Sequence, residues 1–449
     1  MTGTMTPAQA LSAQLAAIPS YLRPNDEAWM TMLEAAGDIS SAAQAAVIYQ
    51  MEGLAADWGV DAPPTSLRFP QDHRLHLGSG DEWYWLSCHL RATGPGGPAR
   101  IAVLLSMERV RVLANAVQKE AGWSDEAAQV VWCAVTAVVS SPSGSTITRR
   151  NPNVQWAPLG GIVEFPGDQF VYRCGADVLT GSGDVLPLTI SVDDGENISL
   201  TLTGISQLPP PTAFFLQGMG GVTPFLPGIY YSWPQLIVSG PVTIDGVTYQ
   251  TEGRGWLDHQ LMMQTVPTQA PPAPPPGFSG WSWCQFNFDD DRAFCAAAFH
   301  NGPMSARSLV PYGYHLRRQG DHWDAEAVVG NLRMDRFVTG LHGVIQPTEW
   351  TYTATNMPMA PAFSPLDLMI TTAPWHLDCT FETGDLAVPS EVPVSAALTD
   401  RALTPGGAPA GRAITGEGYC ESVGFEDRGR YMERAAAFLR GGVRTPRGA

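Results

Sequence analysis

The residues best suited to chemistry lie between Tyr230 and Gln285, in three short clusters. These are Tyr230-Tyr231-Ser232-Trp233, then Trp256-Leu257-Asp258-His259-Gln260, then Trp281-Ser282-Trp283-Cys284-Gln285. An Asp-His pair set among aromatic rings is the most pointed feature of the chain. Gly246 to Gln260 reads as a β-strand, rich in Val, Thr and Tyr between turn residues. Successive strand side chains face opposite ways. Trp256, Asp258 and Gln260 are therefore expected on one face, with Leu257 and His259 on the other. Adjacency alone does not make Asp258 and His259 a catalytic pair: one faces a cavity while the other braces the sheet. Asp258 with Trp256 is assigned to the cavity side. A carboxyl beside indole rings loses solvation, which favours its neutral form and raises its pKa. That is what a general acid needs near neutral pH. The competing reading is a buried aspartate that accepts backbone hydrogen bonds to hold a turn.

The elements that must position these residues read as short strands. Glu82-Trp83-Tyr84-Trp85-Leu86 is too aromatic for a surface loop, and Ile101–Val112 is a further strand. Ser124 to Val139 is ambiguous, opening like a helix cap but carrying a Val130–Val135 run that suits a buried strand. Gly161–Phe165, Phe170–Cys174, Leu186–Val192 and Ile198–Gly204 follow between Gly- and Pro-bearing turns. This is the rhythm of an all-β sandwich or barrel. Trp281–Phe288 and Ala293–Phe299 form a hairpin around Asp289-Asp290-Asp291, read as a solvated turn rather than a metal site. Glu417–Phe425 is the last strand, and Tyr419 and Glu421 share one of its faces.

The flanks differ in texture. Residues 1–62 read as a small helical extension, opened by Thr6-Pro7 and bearing an apolar stripe at Ile48, Met51, Ala55 and Trp58. Packing, or contact within a homodimer, is its expected role. Residues 63–266 form the first β-domain, 267–277 a stiff proline-rich linker, 278–428 the second β-domain, and 429–449 a short helix and tail.

Composition narrows the function. The 449 residues suit about two or three domains. A hydrophobic share of 44% with 46 Gly and 38 Pro describes a turn-rich globular chain. The net charge of −17 argues against nucleic acid and anionic membranes, but not against an apolar, uncharged substrate. No stretch approaches the ~20 apolar residues of a membrane span, and Met1–Ala17 lacks the pattern of a signal peptide. The seven scattered cysteines show no CxxC spacing, so reduced, buried thiols in a cytoplasmic protein are expected, without bound metal.

Four motifs in order resemble the AttH/CrtC group of lipocalin-like proteins. They are Phe69-Pro70-x-Asp72-His73 with Glu82-Trp83-Tyr84-Trp85; Tyr230-Tyr231-Ser232 with Gly255-Trp256-Leu257-Asp258-His259-Gln260; Trp281-Ser282-Trp283-Cys284-Gln285; and Gly418-Tyr419-Cys420-Glu421-x-x-Gly424-Phe425. The resemblance spans Ser66 to Phe425; the helical N-terminus and proline linker depart from it. It implies a mainly β fold of two lipocalin-like antiparallel β-barrel or sandwich domains, with a ligand cavity in or between them. It also implies a hydratase or cyclase without a redox cofactor, of the kind that includes carotenoid 1,2-hydratases and Diels–Alderases. The resemblance also implies that Asp258 stands at the position of the acid that protonates an alkene in the carotenoid hydratases.

The expected activity is cofactor-independent protonation of an alkene or epoxide in a polyene, terpenoid or polyketide-derived substrate, followed by hydration or cyclisation. Asp258, His259 and Glu421 are the candidate catalytic residues. Tyr84, Tyr230, Tyr231, Trp233, Trp256, Trp283, Gln285 and Tyr419 are the candidate substrate-binding residues. Two rivals stand beside this: a pericyclase that works by positioning, with Asp258 structural, and a non-catalytic carrier of lipid or pigment.

Overall fold

The computed structural model describes residues 68–78, 81–111, 122, 124–126, 129–141, 144–149, 153–156, 161–164, 169–193, 197–206, 215–217, 228–262, 280–300, 307–310, 312–327, 329–339, 345–355, 366–372, 390–400 and 413–423. The expected helices in 1–62 and 429–449 and the linker 267–277 lie outside them.

The described strands form two antiparallel sheets. The first holds thirteen: β1 (Asp81–Gly94), β2 (Gly97–Arg111), β3 (Gln129–Ser141), β4 (Gly144–Arg149), β5 (Asn153–Trp156), β6 (Gly161–Glu164), β7 (Gln169–Cys174), β8 (Asp177–Ser182), β9 (Leu188–Asp193), β10 (Ile198–Ile205), β11 (Phe215–Gln217), β12 (Gly228–Ile244) and β13 (Val247–Met262). The second holds ten: β14 (Gly280–Phe288), β15 (Arg292–His300), β16 (Arg307–Val310), β17 (Tyr312–Gln319), β18 (His322–Ala327), β19 (Val329–Thr339), β20 (Ile345–Thr355), β21 (Leu366–Thr372), β22 (Ser390–Asp400) and β23 (Ala413–Val423). The architecture is a lipocalin-like β fold. The ambiguous segment after Ser124 resolves as strand from Gln129 onward, because Val131, Cys133, Ala134 and Val135 are buried in the sheet.

In the first sheet the order is β4-β3-β2-β1-β13-β12-β10-β9-β8-β7-β6. Segments that are far apart in sequence therefore meet at β1 and β13, with Trp85 opposite Asp258 and Tyr84 opposite His259. The β12–β13 hairpin closes through Asp245 and Gly246, both at positive φ (49° and 77°). A two-residue turn of that hand matches the twist of the strands it joins. The sheet curls until β7 faces β1: the Tyr84 and Phe170 rings lie 5.0 Å apart, and Cys174 Sγ reaches Val131 O at 3.5 Å. The enclosed core is aliphatic and aromatic, with Leu86, Val103, Leu105, Val135, Ile190 and Leu257 all buried.

Beside the site, the β12–β13 register slips between Trp233 and Leu236. Gln235 there takes positive φ (54°). A bulge of this kind re-aims a side chain, and Gln235 points at the second sheet. Its amide donates to Phe288 O (3.0 Å) and Arg292 O (2.7 Å), and its backbone N–H donates to Asn287 Oδ1 (2.9 Å). Asn287 Nδ2 in turn donates to Gly255 O (3.0 Å). These bonds seat β14 against the outer face of β12 and β13.

Candidate active site between the two sheets

Asp258 is 4% exposed and lies on the face of β13 that meets the second sheet. The two-residue period of the strand brings Trp256 beside it, as expected, and the β12 partners Tyr230 and Ser232 join them. Its Oδ1 accepts from Tyr230 Oη, Ser232 Oγ and Trp256 Nε1, each at 2.5 Å. Ser232 Oγ also lies 2.6 Å from Tyr230 Oη, so its single hydrogen serves one of the two acceptors at a time. None of these bonds reaches Oδ2. Burial pushes the Asp258 carboxyl up to about 7, against the three hydrogen bonds from Ser232, Tyr230 and Trp256, which favour the charged form. The Tyr230 hydroxyl is held well above its ordinary range by burial and by Asp258, and so remains a donor. The arrangement is a carboxyl poised near neutrality, clamped at one oxygen, with the other available to carry and deliver a proton.

The second sheet supplies the facing wall. Trp283 meets the Tyr230 ring edge-on at 5.1 Å. Gln285 Nε2 donates to Ser87 Oγ, while the buried Gln285 Oε1 has no hydrogen-bond partner among the described residues. Tyr419 meets Trp85 at 5.9 Å, and the His89 ring lies 5.1 Å from Tyr419. His89 Nε2–H donates to Gly418 O at 2.9 Å, and burial lowers the His89 pKa to about 4. Glu421 is half-buried and sits opposite Trp283 on the neighbouring strand. Asp258, Tyr230, Trp256, Trp283, Gln285, Tyr419 and Glu421 thus occupy the two facing surfaces.

A family model described as AttH-like matches residues 60–367. The chain belongs to the AttH-like family. A crystal structure of a putative AttH from Nitrosomonas europaea is 18% identical, covering 82% of this chain and 99% of that one with a TM-score of 0.55. Kievitone hydratase from Nectria haematococca is 14% identical over 82% of this chain and 95% of its own, with a TM-score of 0.48. CghA is 11% identical over 83% of this chain and 97% of its own, with a TM-score of 0.43. Comparison with curated proteins gave no match. At 18% identity the likeness to the Nitrosomonas europaea structure concerns the fold alone.

In this AttH-like chain the remaining sequence candidates fall elsewhere. His259, a catalytic candidate, takes the strand face opposite Asp258, as the two-residue period predicts, whereas Tyr84, Tyr231 and Trp233 are the candidates expected around the substrate with Asp258. They lie instead on the core face of the first sheet, behind the acid. Strand alternation is the reason: each differs by an odd number of positions from the residue in register with Asp258. His259 stacks on Tyr84 at 4.2 Å, and its Nε2 lies 2.9 Å from Glu82 Oε1. Sequence reasoning missed Ser232 and Ser87 at the acid face and His73 and Glu82 at the core face. Ser232 was legible in principle, standing two residues from Tyr230 in the same strand. His73, on the 3-10 turn Gln71–His73, reaches Tyr231 only through the tertiary fold.

Proposed function

We propose that this AttH-like chain is a cofactor-independent enzyme that protonates an alkene or epoxide of an apolar polyene, terpenoid or polyketide-derived substrate held between the two sheets. The observation that carries this reading is Asp258, buried, with its pKa up to about 7 and its Oδ1 held by three side chains. Clamped there, the carboxyl carries its proton on Oδ2. Transfer of that proton to an alkene carbon forms a C–H bond, leaves a carbocation and leaves Asp258 ionised. The Trp283 and Tyr230 rings stabilise the cation through their π faces, each by ~2 kcal/mol when desolvated. Water then adds to the cation, or a second alkene of the same chain attacks it. The surplus proton returns to Asp258, so the acid is regenerated. The Gln285 Oε1 acceptor is suited to orienting a water or a substrate hydroxyl, and Glu421 is a second acid from the opposite wall.

The test is turnover of a panel of acyclic isoprenoid polyenes in deuterated water. Products should gain the mass of one water or isomerise, with deuterium on carbon, and Asp258→Asn should lose about 10²–10⁴ of the rate. If Asp258→Asn turns over as fast as the parent, the acid is structural and the pericyclase reading takes its place.

A further inference from the structure

The core face of the first sheet holds a hydrogen-bonded chain that the proposed proton transfer does not use. Glu82 Oε1 lies 2.9 Å from His259 Nε2, His259 Nδ1 lies 2.5 Å from Tyr231 Oη, and Tyr231 Oη lies 2.7 Å from His73 Nδ1. The acidic end dictates the direction of donation. Burial opposes charge on Glu82, but hydrogen bonds from His259 and His76 and the charges of His76 and Arg109 hold its carboxyl well below the usual range. A carboxylate only accepts, so His259 Nε2 carries a hydrogen. Burial lowers the His259 pKa against the pull of Glu82, so the ring is neutral and Nδ1 accepts the Tyr231 hydrogen. Asp72 O, 3.3 Å from Tyr231 Oη, and the Tyr84 hydroxyl oxygen are the alternatives for that hydrogen, but neither would leave the neutral His259 ring with a partner at Nδ1. With its hydrogen committed to His259, Tyr231 accepts from His73 Nδ1–H. Burial and the neighbouring His259 lower the His73 pKa to about 3, which keeps that ring neutral as well.

The chain therefore ends in a lone pair at His73 Nε2. That atom is buried and has no hydrogen-bond partner among the described residues. The same holds for the indole N–H of Trp233, whose ring centroid lies 5.4 Å from that of His73. An acceptor and a donor on neighbouring buried rings are thus both unmatched, which is costly for each. One chemical group answers both: an O–H donates to His73 and its oxygen accepts from Trp233.

We propose that His73 and Trp233 form a second ligand site, on the core face of the first sheet, for the hydroxyl of a bound water or a small neutral alcohol. Glu82, His259 and Tyr231 are its positioning residues, setting His73 in the tautomer that accepts. Phe69 stacks on His73 at 4.5 Å and is itself exposed, so its ring is the cover on the solvent side. The site is independent of Asp258, which faces the other way.

Nitrogen-resolved NMR of the full chain, with labelled histidine and tryptophan, tests this. His73 should carry its hydrogen on Nδ1, and the Trp233 indole proton should cross-relax with a long-lived bound hydroxyl. Titration with ethanol separates the sources. A saturable loss of the water contact identifies an alcohol site, and an unchanged contact identifies a resident water; both support the site. An indole proton with neither contact, or His73 protonated on Nε2, overturns it. Tyr231→Phe should mix the His73 tautomers, and an unchanged tautomer refutes the positioning role. If that variant does not fold, Trp233→Phe should abolish the bound-hydroxyl contact at His73, and a contact that persists refutes the shared site.

Discussion

Asp258 combines two opposed influences, and their balance sets its chemistry. Burial raises its pKa, and the hydrogen bonds from Ser232, Tyr230 and Trp256 pull it back to about 7. Two consequences follow at the level of the single residue. Activity that needs the protonated acid should be flat below pH ~7 and fall about tenfold per pH unit above it. Trp256→Phe and Tyr230→Phe each remove a donor that favours the ionised form, so each should move that limb to higher pH. A pH–rate profile of the variants checks the direction, and a limb displaced to lower pH contradicts the assignment. The same shift acts on stability. Folding raises the Asp258 pKa from 3.8, so the contribution present below that value is lost as pH rises through about 7, by on the order of 4 kcal/mol. Denaturant unfolding should show this slope in the parent and lose it in Asp258→Asn.

At the scale of elements, β13 is a partition with different chemistry on each side. Its outer face presents Trp256 and Asp258 to the second sheet, while its inner face presents Leu257 and His259 to the core of the first. Contact between the sheets is made in part by the bulge at Gln235 and by Asn287, which bonds to both strands of the β12–β13 hairpin. Asn287→Ala removes the bonds to the Gln235 N–H and the Gly255 C=O and should cost ~1–3 kcal/mol. It should also lower the rate, because β14 carries Trp283. A variant with unchanged melting temperature and full activity shows that these bonds do not seat the sheet. Gly418 illustrates how tightly the strands approach: a Cβ there would strike the backbone oxygen of Gln285. Gly418→Ala should cost ~1–3 kcal/mol by forcing β14 and β23 apart, measured as a lowered unfolding midpoint.

For the molecule as a whole, the Glu82 cluster ties the segment before β1 to the first sheet. Glu82 accepts from His76, Arg109 and His259, and both Glu82 and Arg109 are fully buried. His76, with a carboxylate at each ring nitrogen, has its pKa raised: burial works against the charge, and Glu82 and Asp72 outweigh it. Folding depresses the Glu82 pKa, so its stability is present above the unfolded value of ~4.5 and is lost as pH falls. Glu82→Gln removes the carboxylate charge facing the buried Arg109 guanidinium and should cost ~3–5 kcal/mol at neutral pH. Acid titration of unfolding, parent against variant, checks both the size and the lost pH slope. Among the described residues, no helix is long and apolar enough to cross a membrane.

The sequence by itself determined the β character, most strand positions, and the sharing of one face by Trp256 and Asp258. These follow from local alternation and turn chemistry, which a strand of known direction carries in its own residues. It also separated Asp258 from His259, because neighbours in a strand cannot look the same way. Which aromatic residues accompany each of them was decided only by the tertiary structure. Tyr231 and Trp233 went to the core face because the register of β12 on β13 places them opposite His259 and Leu257, and register depends on pairing that no single segment encodes. His73 reached Tyr231 across 158 positions of chain and Glu82 reached His259 across 177, through curling and docking of the sheet rather than any local pattern. The pKa of Asp258 likewise arose from enclosure, since desolvation is a property of the packed surroundings and not of the residue.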